Sequence, residues 1–336
     1  MIDWWLMPAV ALVSCVLTAG LRRYALSRSI IDIPNARSSH SVPTPRGGGV
    51  AIVLAFLLAL LLLGFLHAVP FNSLIAIGGS GSLIALIGFM DDHGHIAARW
   101  RLLGHFSASA WALLWMDGIP TIGVFGYGVN LGWLGSVLAV IYLVWMLNLY
   151  NFMDGIDGIA SVEAISVCLG ACLLYWLSGV EELMWPPLLL AMAVAGFLVW
   201  NFPPAKIFMG DAGSGFLGIA LGVMSIQAAW VSSQLLWAWM ILLGVFVVDA
   251  TFTLIRRLVR GDKVYEAHRS HAYQFASRLY GKHLPITLGV AVINVFWLLP
   301  IALCVVLLDI DGVWGLMLAY CPLIVLAIKF HAGELE

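Results

Sequence analysis

The sequence contains little charge. Only 10% of its 336 residues are Asp, Glu, Lys or Arg, whereas 62% are hydrophobic and the mean hydropathy is +1.00. An average soluble protein is about 25% charged, so the composition excludes a water-soluble globular protein. The net charge of −2 excludes a strongly basic surface for nucleic acid, and the many large apolar side chains exclude intrinsic disorder. The composition therefore predicts a polytopic membrane protein.

Cysteine is scarce as well. The five cysteines all lie in apolar stretches, without a CxxC motif or the spacing of a disulfide framework. We therefore expect them to behave as small buried hydrophobic residues. The first apolar segment lacks a basic leader and a small-residue cleavage site, so we predict that it is a retained membrane span.

Apolar runs fill most of the chain. A helix needs about 20 apolar residues to cross a bilayer, and polar breaks divide the sequence into eleven such runs. We predict an all-α protein with a single transmembrane domain over residues 1–336. The predicted helix cores are 4–21, 47–68, 73–90, 102–117, 131–150, 159–178, 186–201, 213–229, 235–258, 286–308 and 314–330.

Every second polar break lacks lysine and arginine. All 16 basic residues lie in the remaining breaks, which the positive-inside rule assigns to the cytoplasm. The N-terminus is therefore predicted to be outside and the C-terminus to be cytoplasmic. The cytoplasmic loops also hold most of the unusual polar residues. We expect a site built from loops 22–46, 91–101, 151–158, 202–212 and 256–285.

Acidic residues cluster at two predicted cytoplasmic helix ends. Asp91 and Asp92 adjoin the negative end of a helix dipole and repel each other, so a divalent cation or an arginine (Arg99 or Arg101) should compensate them. Segment 148–157 has Asn or Asp at every third position, which at helical spacing predicts one polar ridge. An Asx-rich turn is the alternative. The ridge residues are Asn148, Asn151, Asp154 and Asp157.

A Gly-rich stretch precedes the eighth predicted helix. Asp211 lies at the start of that helix, where an N-cap is the simplest interpretation. The glycine-rich backbone there also suits a phosphate group. Asn201 and Phe208 lie shortly before it, and the residues alone identify Phe208 only as a core or interface aromatic.

Two of the cytoplasmic loops are basic and suit anions. Residues 256–285 could instead form a loop that is attracted to anionic lipid. The stretch around residue 40 could instead be a Pro/Gly linker. If the two histidines of the later loop are helical, they share a face. The candidate anion-binding residues are His268, Arg269 and His271 in the later loop, and His40 and Arg46 in the earlier one.

Two acidic residues lie inside predicted spans. A lone acid in a span costs about 2.5–3.5 kcal/mol on insertion scales, so Glu163 and Asp249 each need a partner. Arg256 is two turns from Asp249 and is the expected partner. We interpret both acids as structural.

Together these features fit Mg²⁺-dependent chemistry on a phosphorylated substrate. Mg²⁺ binds through one or two carboxylates plus substrate phosphate oxygens, and phosphoryl transfer needs mainly positioning and charge neutralisation. The membrane location implies that one substrate is a lipid.

The sequence resembles the polyprenyl-phosphate N-acetylhexosamine-1-phosphate transferases, also called glycosyltransferase family 4. The matching segments are PTPRGGG, GFMDD, NLYNFMDGIDG, NFPPAKIFMGDAGS and HRSH, in the family's order over nearly the whole chain. The resemblance implies ten or eleven helices in the bacterial inner (cytoplasmic) membrane. It also implies transfer of a sugar-1-phosphate from a UDP-sugar to undecaprenyl phosphate, with release of UMP and with Mg²⁺ or Mn²⁺ as cofactor.

The resemblance further implies roles for the matching residues. The acidic pair is linked to the metal or to deprotonation of the lipid phosphate, Phe208 would stack on uracil, and the HRSH segment would contact the diphosphate. The implied catalytic residues are Asp91, Asp92, His268 and His271, and the implied metal ligands are Asp211 and Asp91. The implied substrate-binding residues are His40, Arg46, Asn151, Asp154, Asp157, Asn201, Phe208 and Arg269.

Two departures bear on the branch of the family. The lipid I-forming branch has a Lys before its Pro-Thr-rich turn, near the place of His40 in this chain, and a run of adjacent histidines where Arg269-Ser270 separates the two histidines here. The sequence looks more like the initiators of O-antigen or related surface glycans, with GlcNAc or FucNAc as the sugar. The lipid I-forming reaction and an ion-coupled transporter remain the alternatives, and the oligomeric state, including a homodimer, stays open.

Overall fold

The computed structural model describes residues 4–34, 39–40, 42–94, 96–262 and 268–334. Parts of three predicted loops therefore lie outside the described residues. The helices are α1 (Leu6–Ser27), α2 (Val50–Phe65), α3 (Phe71–His93), α4 (Ala98–Trp115), α5 (Gly132–Met153), α6 (Ile159–Leu177), α7 (Trp185–Asn201), α8 (Asp211–Val231), α9 (Ser233–Leu242), α10 (Gly244–Arg260), α11 (Ala272–Tyr280), α12 (Leu284–Ile293), α13 (Leu299–Leu307) and α14 (Gly312–Lys329).

The described residues also contain a short 3₁₀ helix, Glu181–Leu183, and two antiparallel hairpins. One pairs β1 (Ile31–Asp32) with β2 (Thr44–Pro45), and the other pairs β3 (Ile122–Val124) with β4 (Tyr127–Val129). A π-helical segment, Asn294–Leu298, joins α12 to α13 within one apolar span.

The predicted class, an all-α polytopic membrane protein, is confirmed. Eight helices in the described ranges are long and apolar enough to cross a membrane, or nine if the bent pair α9–α10 forms one span. Each of the eleven predicted cores lies on helix, but α2 and α4 do not meet that standard of length and hydropathy. The count of eleven spans and the orientation stay predictions.

The predicted core 235–258 is not one straight helix. The chain bends by 71° between α9 and α10. Gly244 begins α10 and packs so tightly that a Cβ there would lie 3.1–3.3 Å from side chains of α14 and the π segment, and glycines are common at kinks. The buried face of α10 then carries Asp249 and Arg257, which a lipid-crossing helix would rarely contain.

The central helix of the bundle is α8, which is buried along nearly its whole length. Close approach to its neighbours depends on glycines. A Cβ at Gly88 of α3 would lie 2.5 Å from the backbone at Asp211 and Ala212, and a Cβ at Gly218 would lie 2.5 Å from the Cα of Leu147 in α5. These contacts bring the C-terminal ends of α3 and α5 against the N-terminus of α8.

We expect Gly88→Ala to destabilise the protein by about 1–3 kcal/mol, the usual cost of overpacking. The new methyl would push α3 away from α8, because the atoms that it meets are backbone. The measurement is the thermal unfolding midpoint in detergent. Gly289→Ala in α12 is the control, since open space surrounds that position. Equal midpoints for the two variants would show that the α3–α8 contact tolerates a Cβ.

Candidate active site

A polar cavity of about 300 Å³ opens where α3, α5 and α7 end and α8 begins. Its lining includes nine of the thirteen site residues predicted from the sequence. Those nine are His40, Arg46, Asp92, Asn151, Asp154, Asp157, Asn201, Phe208 and Asp211. The four predicted residues outside the lining are Asp91, His268, Arg269 and His271. The tertiary structure thus brings together most, but not all, of the sequence motifs.

Asp92 lies against the N-terminus of α8. Its carboxylate oxygens accept hydrogen bonds of 3.3 Å from the backbone N–H groups of Asp211 and Ala212, where the positive end of the helix dipole stabilises negative charge. Gly210 makes this approach possible, because a Cβ there would lie 2.7 Å from an Asp92 oxygen. The N-cap is Gly210, so the prediction that Asp211 is the N-cap is wrong. The Asp92 carboxylate therefore occupies two of the backbone N–H groups that the sequence suggested for a phosphate.

Asp91 lies outside the cavity lining because successive helical residues point about 100° apart. Its carboxylate accepts a 2.5 Å hydrogen bond from Arg101 and a 2.8 Å hydrogen bond from the Ile96 N–H. The Arg101 guanidinium is also 3.7 Å from the Asp211 carboxylate. An arginine was one of the two expected ways to compensate the acidic pair. Arg101 fills that role for Asp91 but not for Asp92.

The ridge predicted for segment 148–157 is wrong beyond Met153, where α5 ends. The Tyr273 hydroxyl donates a 2.9 Å hydrogen bond to the Phe152 carbonyl, an acceptor that a continuing helix would use itself. Gly155 permits this approach, because a Cβ there would overlap the Tyr273 hydroxyl. The alternative, a turn between two helices, is the observed structure.

This turn still brings three of the four ridge residues, Asn151, Asp154 and Asp157, to the cavity. Asn151 donates a 3.2 Å hydrogen bond to the Ser214 hydroxyl, which ties α5 to the first turn of α8. Asn148 lies away from this cavity, and its amide donates to a carbonyl of its own helix at 2.7 Å.

Asp154 has the least compensated carboxylate in the cavity. Burial raises the pKa of Asp154 well above its usual range, and the neighbouring carboxylates, Asp211 first and then Asp92, raise it further. Within the described ranges Asp154 accepts no hydrogen bond. A bound cation would relieve this repulsion.

The donor set fits Mg²⁺ better than a metal held by protein alone. In the part of the chain that the structure describes, no group of three or more His, Cys, Asp or Glu side chains is arranged to hold a metal ion by itself. Mg²⁺ needs only one or two protein carboxylates when substrate phosphates supply further oxygens. Asp92, Asp154 and Asp211 are carboxylates of this kind around one cavity.

Two glycine-rich motifs join to form one wall of the cavity. The Phe208 N–H donates to the Pro45 carbonyl at 2.8 Å, and the Gly48 N–H donates to the Phe208 carbonyl at 2.9 Å. Gly49 continues the contact and lies so close to Gly213 that a Cβ would be 2.5 Å from its Cα. The close approach of the Gly213 backbone explains the glycine at position 49, whereas a Cβ at Gly48 would lie 2.7–3.2 Å from the side chains of Phe197 and Ile207.

The same wall presents an aromatic pair and an arginine. The rings of His40 and Phe208 meet edge to face with centroids 4.8 Å apart. The Nε2 atom of His40 is buried and has no hydrogen-bond partner among the described residues. Arg46 donates a 2.6 Å hydrogen bond to the Asp92 carbonyl, which holds its guanidinium at the cavity. A ligand in the cavity would therefore meet the Phe208 ring and the Arg46 guanidinium.

Asn201 lines the cavity but has a structural role. Its carbonyl oxygen accepts from the Gly158 N–H at 3.0 Å, and its amide donates to the Ile207 carbonyl at 3.0 Å. The buried side chain therefore ties the turn after α5 to the segment before Phe208.

The histidine motif lies behind the cavity. His271 is the N-cap of α11, so the predicted shared helical face with His268 is wrong, because the helix begins only at Ala272. The two rings are 4.9 Å apart. Burial, followed by the charges of His271 and Arg257, lowers the pKa of His268 to about 3. His268 is therefore neutral near pH 7 and offers a ring N–H rather than a positive charge.

Asp249 holds this motif in place. Its carboxylate accepts 3.0 Å hydrogen bonds from the N–H groups of Ala272 and Tyr273 and lies 3.3 Å from Nδ1 of His271. The prediction that Arg256 is the partner of Asp249 is wrong, since the Arg256 side chain pairs with Glu334. Asp249 is thus structural, as expected, but its partner is the N-terminus of α11.

Glu163 has a partner in the π-helical segment. The Asn294 amide donates to its carboxylate at 2.7 Å, and both side chains are buried. The expectation of a structural partner inside the membrane is therefore confirmed for this acid.

His283, which none of the sequence motifs indicated, also lines the cavity. Its Nδ1 atom is 3.1 Å from the Asp157 carboxylate, and its Nε2 atom is 3.0 Å from the Ser39 carbonyl. Burial lowers the pKa of His283, but the hydrogen bond and charge of Asp157 outweigh it, so the pKa is raised. The one feature of the sequence that could have drawn attention to His283 is its position directly before a helix with Pro in its first turn.

The fold and the cavity define a polytopic membrane protein with a carboxylate-lined cavity at one end of its helix bundle. Residues 73–229 match the family model of glycosyl transferase family 4. The chain belongs to this family, the polyprenyl-phosphate N-acetylhexosamine-1-phosphate transferases, and is a sugar-phosphate transferase. The resemblance read from the five motifs is confirmed.

Three relatives illustrate the match. The decaprenyl-phosphate N-acetylglucosaminephosphotransferase of Mycolicibacterium smegmatis is 31% identical over 77% of this chain and 73% of its own. The undecaprenyl-phosphate alpha-N-acetylglucosaminyl 1-phosphate transferase of Thermotoga maritima is 30% identical over 81% of both chains. The phospho-N-acetylmuramoyl-pentapeptide-transferase of Moorella thermoacetica is 33% identical over 55% of this chain and 61% of its own.

Proposed function

We propose that this protein transfers an N-acetylhexosamine-1-phosphate from a UDP-sugar to undecaprenyl phosphate and releases UMP. The observation that carries the proposal is the convergence of five carboxylates, an arginine and an aromatic pair in one cavity. The names of two relatives that align over most of the chain contain a polyprenyl phosphate and N-acetylglucosamine, which supports this acceptor class and GlcNAc as the first donor sugar to test.

The reaction would be a single displacement. A lipid phosphate oxygen attacks the sugar-linked phosphorus, and the bond from that phosphorus to the bridging oxygen breaks, so the bridging oxygen leaves with UMP. Asp92 is the acid in the lining that would keep the lipid phosphate ionised. Arg46 would contact the diphosphate, and His40 and Phe208 would hold the uracil ring. If a labelled phospho-enzyme can be trapped in the absence of the lipid acceptor, the reaction is a double displacement and not this single displacement.

Asp211 and Asp154 are the residues that would hold Mg²⁺, while Asp92 serves the lipid phosphate. The ion would neutralise charge on the diphosphate. Asp91, proposed from the sequence as a ligand, would instead position Arg101 beside Asp211, because its carboxylate is already paired. His268 and His271 would act from behind the cavity wall rather than within it.

The proposed setting is the bacterial inner membrane, with the cavity facing the cytoplasm. The confinement of all 16 basic residues to alternate loops supports that orientation. In this setting α2, α4 and the bent pair α9–α10 would complete eleven spans. The proposed pathway role is the first membrane step of O-antigen or related surface-glycan synthesis, which the departures at His40 and Arg269 favour over the lipid I-forming reaction.

The test is UMP release by the purified protein. We expect release from UDP-GlcNAc or a related UDP-HexNAc only when undecaprenyl phosphate and Mg²⁺ are both present. Chelation should lower the rate by at least about 100-fold, the scale of a lost electrostatic stabilisation, and added Mg²⁺ or Mn²⁺ should restore it. A donor panel that includes UDP-MurNAc-pentapeptide separates the surface-glycan role from the lipid I-forming role.

The transporter alternative gives the opposite result. No UDP-sugar would then support UMP release, while Asp211→Asn would abolish solute uptake into reconstituted vesicles. That combination would overturn the proposed transferase reaction.

A further inference from the structure

A second cavity of about 520 Å³ adjoins the first at the same end of the bundle. Its outer lining includes Pro203, Arg278 and Lys282. Five residues line both cavities, so the boundary between them runs through this set. The shared residues are Ser39, His40, Asp157, Phe208 and His283.

His283 connects the two sides of this boundary. It lies directly before α12, its Nε2 donates to the Ser39 carbonyl at 3.0 Å, and its Nδ1 lies 3.1 Å from the Asp157 carboxylate. The Asp157 backbone N–H is also 3.3 Å from Nδ1. A neutral ring therefore accepts from the Asp157 N–H, whereas a doubly protonated ring donates to the Asp157 carboxylate. The ring has a partner at both nitrogens in either state.

Asp157 is itself fixed on its other sides. Its second carboxylate oxygen accepts from the Ala205 N–H at 3.0 Å, and its carbonyl accepts from the Thr287 hydroxyl at 2.8 Å. In the residues that the structure describes, Ser39 has one side-chain hydrogen bond, the one from His283. The next residue, His40, carries the buried Nε2 atom beside Phe208 that has no hydrogen-bond partner among the described residues.

We propose that His283 is a positioning residue for donor binding, because it clamps the Ser39–His40 segment onto Asp157 and so sets the place of the His40 ring opposite Phe208. The proposal deepens the proposed function and rests on a nucleotide donor that binds beside Phe208. It assigns His283 to binding and not to the bond-forming step, since His283 contacts no residue that would hold the metal.

The expected consequence is a change in donor affinity. His283→Ala removes both contacts, so we expect the KM for the UDP-sugar to rise about 10-fold, the fold-change of one lost hydrogen bond to a charged group. The kcat should stay within about threefold. Thermal midpoint and elution profile show whether the variant is folded.

Two conservative variants separate the two contacts. His283→Asn places an amide nitrogen near the Nδ1 position and can keep the Asp157 contact, whereas His283→Gln places one near Nε2 and can keep the Ser39 contact. Each should give a KM between those of the unchanged protein and His283→Ala. They also decide the question if the alanine variant does not fold. His67→Asn, at the far end of α2, is the matched control and should leave KM unchanged.

The pH profile supplies a signature that a purely structural role would not produce. Above its raised pKa, His283 loses the Nδ1 proton and its donation to the Asp157 carboxylate, so the donor KM of the unchanged protein should rise with pH. The asparagine and glutamine variants should lack this rise. The titratable and charged groups around both cavities at this boundary are Asp32, His40, Arg46, Asp157, Arg278 and Lys282.

The outcomes are distinguishable. If the unchanged protein releases UMP and all three variants share its donor KM and pH profile, the clamp is wrong. A fall in kcat with an unchanged KM also overturns it. If the unchanged protein releases no UMP from any UDP-sugar, the proposed function fails, and the assignment of His283 to donor binding fails with it.

Discussion

Asp211→Asn is expected to lower UMP release by about 1,000-fold. Asp211 begins α8 beside Asp92 and Arg101, and the side chain lines the cavity. Asparagine keeps the shape and one acceptor oxygen but removes the charge that would attract Mg²⁺. Removal of one preorganised electrostatic group at a reacting centre costs about 10²–10³ in kcat, and the loss of a metal ligand falls at the upper end of that range.

The measurement is the initial rate of UMP release at saturating donor and acceptor. Glu181→Gln, in the short turn between α6 and α7 at the opposite end of the bundle from the cavity, is the control and should retain full activity. If Asp211→Asn retains more than about a tenth of the activity, Asp211 is not a metal ligand. A loss of activity with a lowered thermal midpoint would indicate damage to the α3–α8 contact instead.

The adjacent acids should separate in their effects. We expect Asp92→Asn to lower kcat by at least about 100-fold, because this carboxylate lies in the cavity between Arg46 and the start of α8. We expect the fall in kcat caused by Asp91→Asn to be at least tenfold smaller than the fall caused by Asp92→Asn. Its main effect should be a loss of about 1 kcal/mol of stability, because the partly exposed Arg101 would lose its charged partner.

A double variant tests the second half of this prediction. Asp91→Asn combined with Arg101→Gln removes both members of the Asp91–Arg101 ion pair, so its thermal midpoint should be closer to that of the unchanged protein than the midpoint of Asp91→Asn. Equal losses of kcat in Asp91→Asn and Asp92→Asn would contradict the separation of roles. It would mean that Asp91 turns toward the cavity when substrate is bound.

The membrane class followed from the sequence because the bilayer imposes a simple length and hydropathy on each span. The five motifs identified the family because they occur in the family's order, and because their acidic, basic and glycine residues suit the binding of phosphates and a divalent cation. The bend at Gly244 did not follow, since an apolar run looks the same whether it crosses the bilayer straight or turns. The end of α5 at Met153 also depended on a distant residue, Tyr273, whose hydroxyl takes the Phe152 carbonyl.

The sequence by itself therefore determined a polytopic membrane protein with its acids gathered into a few motifs, because composition and spacing are local properties. Only the tertiary structure decided which acid of the pair faces the cavity, because that depends on how α3 packs against α8. It also decided that His271 lies behind the cavity wall and that His283 lies at it. The place of His283 depends on a contact between residues more than a hundred positions apart, Asp157 with His283, and no local pattern encodes it.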